Sequence, residues 1–340
     1  MKLLITGGCG FMGTNLALHA LKNKYHLSIL DNLSREGSKS NLDFLKSIGN
    51  FSFTQNDITS TEDVEKTVKE LKPDVVIHLA GQVAMTTSVK NPMADFRINA
   101  LGTLNVLEAM KKHCPNSTII YSSTNKVYGD LENHHYIENE LRYDFADFKN
   151  GLDENTPLSF STPYGCSKGA ADQYVLDYGK MHSLKSVVFR HSSAFGLRQF
   201  STFDQGWIGW FIKQALETKL NPLRGAFSIS GNGKQVRDVL FSDDLVNCYF
   251  SAISNINRAS GQAFNIGGGY ENSISLLELF EFLNKTLKIK LQYQQLPWRH
   301  SDQKVFIADI SKAKNLLQWA PKTNAFEGIQ AMMAWSKANA

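Results

Sequence analysis

The amino-acid sequence predicts an α/β protein with a Rossmann-type, doubly wound parallel sheet and a smaller C-terminal lobe. Short apolar segments alternate with helical patterns through the first half of the chain, as in sheets that are covered by helices on both faces. A glycine-rich loop follows the first apolar segment and opens a helix. The length of 340 residues exceeds the size at which a single hydrophobic core usually stops growing, which favours two lobes.

The elements of the predicted sheet follow one another at regular spacing. The predicted strands are residues 2–6, 26–31, 51–55, 74–79, 118–122, 185–190 and 262–267. The helical patterns between them are residues 14–22, 61–71, 101–113 and 168–182. This order predicts that ligands bind at the carboxyl ends of the strands.

The composition is that of an ordinary globular protein and excludes several classes of partner. The hydrophobic fraction is 42%, the charged fraction is 20% and the net charge is +4, with no dense run of lysine or arginine. Binding to nucleic acid or to a membrane surface is therefore not predicted. No apolar run is long enough for a signal peptide or a membrane-spanning helix. Four scattered cysteines predict reduced thiols, no metal site and a cytoplasmic location (Cys9, Cys114, Cys166 and Cys248).

The glycine-rich loop indicates a dinucleotide site. Gly7, Gly10 and Gly13 have the spacing that allows a tight turn, close approach of a pyrophosphate and close packing of helix on strand. The N-terminus of the following helix offers free N–H groups to the phosphates. Asp31 ends the second strand, where a carboxylate accepts hydrogen bonds from an adenosine ribose. We therefore predict NAD as the cofactor, although the nearby Arg35 leaves NADP open.

The strand and helix alternation stops after residue 190, where a second lobe begins. Residues 191–226 and 269–340 lack a regular pattern and contain all five tryptophans. We assign residues 1–190 and about 227–268 to a dinucleotide-binding domain, and the other two segments to a substrate-binding lobe.

Tyr164 and Lys168 are the leading candidates for acid–base chemistry. They are four residues apart and therefore lie on one side of a helix, with Pro163 tolerated in its first turn. A tyrosine has an ordinary pKa of about 10, and lowering it by ~3 units requires roughly 4 kcal/mol. We expect the Lys168 ammonium to supply much of that stabilisation.

Two arginines in the second half of the chain, Arg237 and Arg299, suit a substrate diphosphate. Guanidinium groups bind phosphate oxygens through paired N–H donors. Surface arginines in ion pairs are an equally good explanation from the residues alone, so both alternatives stay open.

These motifs resemble the extended short-chain dehydrogenase/reductase family over essentially the whole chain. The resemblance rests on the glycine loop, on residues 122–129, on residues 164–168 and on the two arginine motifs. It implies that Thr124 hydrogen-bonds the reacting sugar oxygen and that Tyr164 moves the hydroxyl proton. It also implies that Lys168 holds the nicotinamide ribose.

The resemblance implies a wider set of ligand contacts. The residues expected to contact NAD, besides Tyr164 and Lys168, are Gly7, Gly10, Phe11, Met12, Gly13, Asp31, Asn32, Ser34, Arg35, Asp57, Ile58, Leu79, Ala80, Gly81, Asn99, Ser122 and His191. The residues expected to contact the substrate are Gln82, Met85, Thr86, Thr124, Asn125, Ser193, Trp207, Arg237, Arg299 and Asp302.

Longer stretches resemble one group within this family, the CDP-tyvelose (CDP-paratose) 2-epimerases. The stretches are residues 81–88, 122–130, 164–174, 189–193, 204–207 and 229–240. They imply tightly held NAD and inversion of C2 of a CDP-linked deoxyhexose through a transient 2-keto sugar, for lipopolysaccharide O-antigen biosynthesis. The helices at 101–113 and 168–182 resemble the pair through which family members associate, which implies a homo-oligomer.

The two residues after Thr124 distinguish between related chemistries. Related 4,6-dehydratases place an Asp-Glu pair there as the acid and base that remove water, whereas this chain has Asn125 and Lys126. Dehydration is therefore disfavoured, and oxidation followed by re-reduction remains, as in an epimerase or a dehydrogenase. A C4 epimerase of a UDP-, CDP- or GDP-hexose and a non-catalytic nucleotide-sensing protein of the same fold stay open as alternatives.

Overall fold

The structure of the chain is a computed structural model that describes residues 1–299 and 301–339. Its strands are, in chain order, β1 (Lys2–Thr6), β2 (His26–Leu30), β3 (Ser52–Thr54), β4 (Val75–His78), β5 (Thr118–Thr124), β6 (Tyr136–Glu138), β7 (Tyr143–Phe145), β8 (Lys185–His191), β9 (Ser193–Phe195), β10 (Phe227–Ser230), β11 (Val236–Phe241), β12 (Gln262–Ile266), β13 (Ser273–Ser275), β14 (Tyr293–Leu296) and β15 (Val305–Phe306). Its α-helices are α1 (Phe11–Lys22), α2 (Ser38–Ile48), α3 (Thr61–Leu71), α4 (Met85–Lys90), α5 (Pro92–Phe96), α6 (Gly102–His113), α7 (Thr162–Met181), α8 (Trp207–Leu220), α9 (Ser242–Ser254), α10 (Ile256–Ala259), α11 (Leu276–Leu287), α12 (Ser311–Leu317) and α13 (Ala325–Ala338).

Seven of these strands form one sheet in the order β12-β8-β5-β4-β1-β2-β3. Every neighbouring pair of strands in this sheet is parallel. The strand order reverses between β1 and β4, and open sheets of this kind bind ligands at such a point. The predicted Rossmann-type sheet is confirmed, and all seven predicted strands belong to it.

Helices cover both faces of the large sheet. Leu4 and Ile5 are neighbours on β1 and therefore point to opposite faces. Ile5 lies in one core with Leu16 of α1, and Leu4 lies in the other core with Val106 of α6 and Val175 of α7. The near-continuous apolar sequence of β1 is thus explained by burial on both sides.

A π-turn at Arg97–Leu101 joins α5 to α6 in one continuous helix. The helix begins at Asn91, whose side-chain oxygen accepts a hydrogen bond from the Ala94 N–H. A π-turn changes the direction of the side chains that follow it and is often found at functional sites. Here it brings Asn99 to Ser167 on α7, with 3.0 Å between Asn99 Nδ2 and Ser167 Oγ.

Two small sheets and three helices build the smaller lobe. β10 pairs with β14, and β11 pairs with β9, β13 and β15. Ile212 of α8, Leu279 of α11 and Ile329 of α13 are fully buried in one core. The sequence pattern does not predict these helices clearly, because α8 carries apolar residues on more than one face.

The boundary between the lobes differs from the predicted one. The sequence predicts that the chain rejoins the large domain at about residue 227, but β10 and β11 pair with strands outside the large sheet. The chain returns to the core of the large sheet at the end of β11 and in α9, where Leu240 and Val246 pack. Leu317 and Trp319, assigned to the smaller lobe, also pack in that core. Short strand sequences do not show which sheet they join, because pairing depends on contacts distant in sequence.

The four cysteines are free thiols, of which Cys166 is exposed and the other three are buried. Within residues 1–299 and 301–339, no three His, Cys, Asp or Glu side chains converge as metal ligands. No helix in this part of the chain has both the length and the apolar composition that crossing a membrane requires.

Candidate active site

The glycine loop lies against the loop that follows β4. Gly7 has a left-handed backbone with φ of 69°, and a Cβ atom on it would lie 2.7 Å from the Ala80 nitrogen. A Cβ atom on Gly13 would lie 2.3 Å from the Gly7 carbonyl oxygen. A Cβ atom on Gly10 would meet only that same oxygen, at 3.3 Å. Gly7 and Gly13 thus allow close packing, and Gly10 keeps the loop open toward the cleft.

The start of α1 offers free donors to an anion. Gly10 precedes the helix, no side chain caps it, and the first turn contains no acidic residue. The N–H groups of Phe11, Met12 and Gly13 consequently have no partner within the helix. A pyrophosphate fits such a helix start, because the N–H groups and the helix dipole both favour negative charge.

Asp31 lies at the end of β2, beside the glycine loop. Its carboxylate accepts the N–H of Cys9 at 2.9 Å and the N–H of Leu33 at 2.8 Å. Burial raises the pKa of Asp31, while these hydrogen bonds and the Arg35 guanidinium act in the opposite direction. Each carboxylate oxygen retains a lone pair that can accept a ribose hydroxyl.

Asn32 and Asp57 extend the predicted cofactor edge along the ends of β2 and β3. Asn32 Nδ2 donates to Asp57 Oδ2 at 2.7 Å, and Asp57 Oδ1 accepts the Thr59 N–H at 2.8 Å. The Ile58 side chain packs in the core with Val106, so only the Ile58 backbone is left for a cofactor contact.

Tyr164 and Lys168 lie one turn apart at the start of α7, as the spacing predicts. The helix begins at Thr162 with Pro163 in its first turn. Both side chains are buried, and the exposed fractions are 9% for Tyr164 and 3% for Lys168. The side chain of Thr124, the last residue of β5, is near enough to the Tyr164 phenol to lower its pKa. The predicted triad is therefore brought together in space.

The Lys168 ammonium contacts two residues of strand β5. It donates to the Ser122 carbonyl oxygen and lies 4.2 Å from the centroid of the Tyr121 ring. Burial lowers the pKa of Lys168 to about 7, while Asp172 and Asp95 act in the opposite direction. Lys168 is therefore close to its own midpoint at neutral pH.

The pKa of Tyr164 departs from the value expected from the sequence. Burial raises the pKa of Tyr164 to about 12, although the nearby Thr124 side chain and the charge of Arg35 lower it. The expectation that Lys168 lowers this pKa does not hold here. Lys168 is itself desolvated, and its ammonium is engaged by a backbone carbonyl.

A buried ion pair fixes α7 against β8. The Asp172 carboxylate, one turn beyond Lys168, accepts two hydrogen bonds from Arg190, each at 3.0 Å. It also accepts the Ser123 hydroxyl of β5 at 2.8 Å. Asp172 is fully buried, and Arg190 is 4% exposed. Sequence reasoning missed this pair, although an aspartate on the buried face of a helix was an available signal.

The side-chain amides of Asn99 and Gln82 form hydrogen bonds within the protein. Asn99 Oδ1 accepts the Gln82 N–H at 2.8 Å, and Asn99 Nδ2 donates to the Gln82 carbonyl and to Ser167 Oγ, each at 3.0 Å. Gln82 Nε2 donates to Asp95 Oδ1 at 2.7 Å and to the Ala84 carbonyl at 2.9 Å. Asn99 and Gln82, predicted as cofactor and substrate contacts, also tie the loop after β4 to α7.

His191 and Thr86 carry buried polar atoms that a ligand could satisfy. His191 Nε2 lies 2.8 Å from Tyr249 Oη, whereas His191 Nδ1 has no hydrogen-bond partner among residues 1–299 and 301–339. Burial and then Lys168 lower the pKa of His191 to about 3, so its ring is neutral at pH 7. Thr86 Oγ1 is likewise buried without a partner among the described residues. Such atoms normally have partners, which supports a bound ligand at this site.

A half-open cavity of about 180 Å³ lies in the smaller lobe. Its lining combines aromatic, polar and charged side chains: Ser193, Phe203, Trp207, Trp210, Phe211, Ser228, Ile229, Ser230, Gln235, Arg237, Leu276, Arg299 and Asp302. Five predicted substrate contacts are among them, namely Ser193, Trp207, Arg237, Arg299 and Asp302. Sequence reasoning missed the others, because their positions depend on how the small sheets pair.

The two predicted arginines both line this cavity. Arg237 Nη2 donates to Asp302 Oδ1 at 2.7 Å. Arg299 Nε donates to Ser230 Oγ at 3.2 Å, and its guanidinium lies 5.1 Å from the centroid of the Phe203 ring. Arg237 thus makes an ion pair and also faces the cavity. Both guanidinium groups retain N–H donors for phosphate oxygens.

Asn125 and Lys126 connect β5 to the smaller lobe. Asn125 Nδ2 donates to Gln303 Oε1 at 2.9 Å, and Gln303 Nε2 donates to the Gly129 carbonyl at 2.6 Å. Lys126 Nζ donates to the Ser301 carbonyl at 3.2 Å. Burial lowers the pKa of Lys126 to about 8. Asn125, predicted as a substrate contact, therefore uses its amide nitrogen to hold the lobes together.

The predicted site residues fall into two adjoining groups. The first group follows the carboxyl ends of the large sheet and the elements beside them: Gly7, Gly10, Phe11, Met12, Gly13, Asp31, Asn32, Ser34, Arg35, Asp57, Ile58, Leu79, Ala80, Gly81, Gln82, Met85, Thr86, Asn99, Ser122, Thr124, Asn125, Tyr164, Lys168 and His191. The second group consists of the five cavity residues. The hydrogen bond between Asn125 and Gln303 joins the two groups, because Gln303 follows the cavity residue Asp302.

A seven-stranded parallel sheet, an open glycine loop and a Thr–Tyr–Lys cluster together define a dinucleotide-binding enzyme fold of the dehydrogenase/reductase class. A family described as GDP-mannose 4,6 dehydratase matches residues 4–332. The chain therefore belongs to this family, within the extended short-chain dehydrogenases/reductases.

Named relatives cover the full length of the chain. The chain is 55% identical over 336 residues to a CDP-paratose 2-epimerase of Salmonella typhi, covering 99% of each sequence. It is 30% identical to a putative UDP-glucose 4-epimerase of Methanocaldococcus jannaschii, again over 99% of each. A solved structure of UDP-glucuronic acid 4-epimerase from Bacillus cereus, in complex with UDP-glucuronic acid and NAD, is similar over 100% of both chains, with a TM-score of 0.84 and 28% identity.

Proposed function

We propose that this protein is an NAD-dependent nucleotide-sugar epimerase that inverts C2 of a CDP-linked deoxyhexose. The observation that carries the proposal is the Thr124–Tyr164–Lys168 cluster between an open glycine loop and an arginine-lined cavity. The full-length similarity to a CDP-paratose 2-epimerase supports inversion at C2. It also supports a CDP-linked sugar of the lipopolysaccharide O-antigen type as the substrate. The large sheet binds the cofactor, and the smaller lobe binds the substrate.

The cofactor fits the residues that are present. Gly7 and Gly13 leave no room for a Cβ atom, and the start of α1 presents free N–H groups for a pyrophosphate. The Asp31 carboxylate accepts hydrogen bonds from the adenosine ribose hydroxyls. Its negative charge repels a 2′-phosphate, which supports NAD over NADP. NAD, when bound, accepts a hydride from the sugar and returns it.

The side chains of the triad handle the proton and the sugar oxygen. Tyr164 takes the proton of the 2-hydroxyl as the oxygen becomes a carbonyl, and it returns that proton when the carbonyl is reduced. Thr124, beside the same phenol, holds the sugar oxygen. Lys168 contacts the nicotinamide ribose, whereas Thr124 and Arg35 stabilise the phenolate.

Dehydration is not supported by the groups that surround this oxygen. Asn125 is an amide bonded to Gln303, and Lys126 donates to the Ser301 carbonyl. Neither position has a carboxyl group that could supply the acid and base for loss of water. C4 epimerisation remains the second candidate, since relatives named as 4-epimerases share the fold at 30% identity or less.

Proton NMR of the purified enzyme with a CDP-linked 3,6-dideoxyhexose tests the proposal. We expect the signals of the C2 epimer to grow to an equilibrium mixture without added cofactor. Formation of a C4 epimer from UDP- or GDP-hexoses alone would support the second candidate. A protein that binds NAD but changes no CDP- or UDP-hexose would instead support a non-catalytic nucleotide-sensing role.

We also propose that the protein is a homo-oligomer that associates through α6 and α7, together with the neighbouring helices α4 and α5. Five large apolar side chains on these helices are between 45% and 64% exposed: Val89, Met93, Phe96, Tyr174 and Met181. Light scattering is expected to give at least twice the monomer mass, and Met93→Lys should lower it. Leu223→Lys, at a residue that is 96% exposed elsewhere, is the matched control. A wild-type monomer would contradict the proposal.

A cytoplasmic location is proposed as well. It is supported by the four free thiols and by the nucleotide-sugar chemistry of the relatives.

A further inference from the structure

The cavity in the smaller lobe has the side chains needed to hold a base together with its diphosphate. Trp207 and Trp210 provide flat aromatic surfaces, against which a planar ring can pack. Arg237 and Arg299 provide guanidinium donors for phosphate oxygens. Neither pair of side chains distinguishes one pyrimidine from another, because every base has an apolar face and every nucleotide has the same diphosphate.

Gln235 brings an unsatisfied acceptor to this cavity. Its Nε2 donates to the Ser230 carbonyl oxygen at 2.9 Å, across the turn between β10 and β11. Its Oε1 is buried and has no hydrogen-bond partner in the part of the chain that the structure describes. Gln235 lines the cavity, so the missing donor can come from a ligand.

The orientation of the Gln235 amide follows from its neighbour. A carbonyl oxygen can only accept, so the group that faces the Ser230 carbonyl is the Gln235 nitrogen, and the oxygen occupies the other position. The turn that carries Gln235 is itself internally bonded, since Asn232 Oδ1 accepts the Lys234 N–H at 3.1 Å. The acceptor is therefore presented at a fixed place.

We propose that Gln235 Oε1 accepts a hydrogen bond from the exocyclic amino group of the substrate's base and thereby selects cytosine over uracil. This inference rests on the proposed function, because it requires a nucleoside diphosphate sugar in this cavity. Cytosine has an amino donor at ring position 4, where uracil has a carbonyl oxygen. A uracil in the same pose places two acceptors against each other and leaves both without a donor.

Uracil could reach Gln235 Oε1 only with its ring N3–H, which lies one ring position away. That contact would require the ring to shift relative to the aromatic walls and to the two arginines that hold the diphosphate. A site built around one fixed polar group rejects a ligand that leaves this group unpaired. Gln235 is therefore a specificity-determining residue for the base, remote from the sugar carbon that reacts.

Calorimetric binding of CDP and of UDP to the NAD-loaded enzyme tests the inference, since neither ligand contains a hexose. Wild type is compared with Gln235→Met and with the control variant Gln199→Met. Gln199 is matched, because its Nε2 donates to the Ala194 carbonyl at 3.3 Å and its Oε1 is buried without a partner among the described residues. Gln199 does not line the cavity.

Wild type is expected to bind CDP at least roughly ten-fold more tightly than UDP. Gln235→Met should bring the ratio of the two dissociation constants close to one by weakening CDP, whereas Gln199→Met should leave the ratio unchanged. A structural role alone would weaken both nucleotides equally and preserve the ratio, which would overturn the inference. If Gln235→Met does not fold, Gln235→Leu replaces it, and this variant should likewise bring the ratio close to one because it also lacks the acceptor.

The two hypotheses fail in different ways. A wild type that binds neither nucleotide, or that prefers UDP, overturns the proposed CDP-sugar substrate together with this inference. A wild type that prefers CDP while Gln235→Met keeps the same preference overturns the role of Gln235 alone.

Discussion

Tyr164 is buried in surroundings that disfavour its phenolate, although the proposed reaction requires it to exchange a proton with the sugar. Burial raises its pKa to about 12, and the pKa of the neighbouring Lys168 falls to about 7. Thr124 and Arg35 are the groups that stabilise the phenolate in this structure. The protonation of the pair is therefore sensitive to any charge that a ligand brings into the cleft.

Removal of the phenol should stop the reaction without removing the cofactor. We expect Tyr164→Phe to lower kcat by roughly 10²–10⁴-fold, because it deletes the proton-transfer group and keeps the packing of the ring. The absorbance of bound NAD in the purified variant should equal that of wild type. Tyr174→Phe changes an exposed phenol on the same helix and should be fully active. A fully active Tyr164→Phe would show that another group moves the proton.

The depressed pKa of Lys168 should be visible in stability. Its pKa is about 7 in the folded protein and about 10.4 in an unfolded chain, so between these values the unfolded state binds more protons and stability rises with pH. Relative to Lys168→Met, wild type should gain up to about 1.4 kcal/mol per pH unit from pH 7 to pH 9. Urea unfolding of cofactor-free protein measures this gain, and a constant difference would contradict the burial argument.

At the scale of the element, α7 carries the reacting phenol and is itself positioned by a buried polar interface. Asp172 on its inner face bonds Arg190 of β8 and Ser123 of β5. The π-turn before α6 adds a second restraint, because Asn99 donates to Ser167 of α7. The height of Tyr164 above the sheet is thus set by three elements outside its own helix.

Breaking this interface should destabilise the fold strongly. Asp172→Ala leaves the buried Arg190 guanidinium without a carboxylate partner, with only the Tyr128 hydroxyl to accept from it, and we expect the free energy of unfolding to fall by about 3–5 kcal/mol. Asp43→Ala removes the exposed pair with Lys39, in which the two charged atoms are 2.6 Å apart, and should cost less than about 1 kcal/mol. Similar decreases in the free energy of unfolding in the two variants would show that the buried pair stabilises the fold no more than the exposed pair does.

At the scale of the whole molecule, the substrate is expected to lie across both lobes. The sugar belongs near Thr124 and Tyr164 on the large sheet, and the diphosphate belongs near Arg237 and Arg299 in the smaller lobe. Asn125 bridges the two lobes through Gln303, so the distance between the two parts of the site is fixed by the protein. This arrangement places one sugar carbon at the triad by holding the nucleotide.

Removal of either cavity arginine should weaken substrate binding more than it slows the chemical step. We expect Arg237→Ala and Arg299→Ala each to raise KM by roughly ten-fold or more, because each deletes charged hydrogen bonds to the diphosphate. Arg258→Ala, at an exposed arginine outside the cavity, is the control. An unchanged KM in both cavity variants would place the diphosphate elsewhere.

The sequence predicts the parts of this molecule that depend on local spacing. Gly7 and Gly13, and the four-residue step from Tyr164 to Lys168, lie within one loop or one helix, and the structure places them as expected. Contacts between distant segments could not be predicted in this way. Asp95 and Ser167, for example, are 72 residues apart and meet only because α5 packs on α7.

The same limit explains the two kinds of error. The observed strand pairing differs from the predicted boundary near residue 227 because β10 and β11 find their partners in β14, β13 and β15, which follow much later in the chain. The pKa of Tyr164 was expected to fall because spacing reveals a neighbouring ammonium. It does not reveal how deeply both groups are buried.

The most direct measurement follows the hydrogen on one carbon. A CDP-linked 3,6-dideoxyhexose deuterated at C2 is converted in ordinary water, and the label is located by NMR in both epimers. If a hydride leaves C2 and returns to its opposite face within one turnover, deuterium stays at C2 of the product and no solvent hydrogen enters there. Loss of the label to water, or inversion at C4 with C2 untouched, would contradict the proposed reaction.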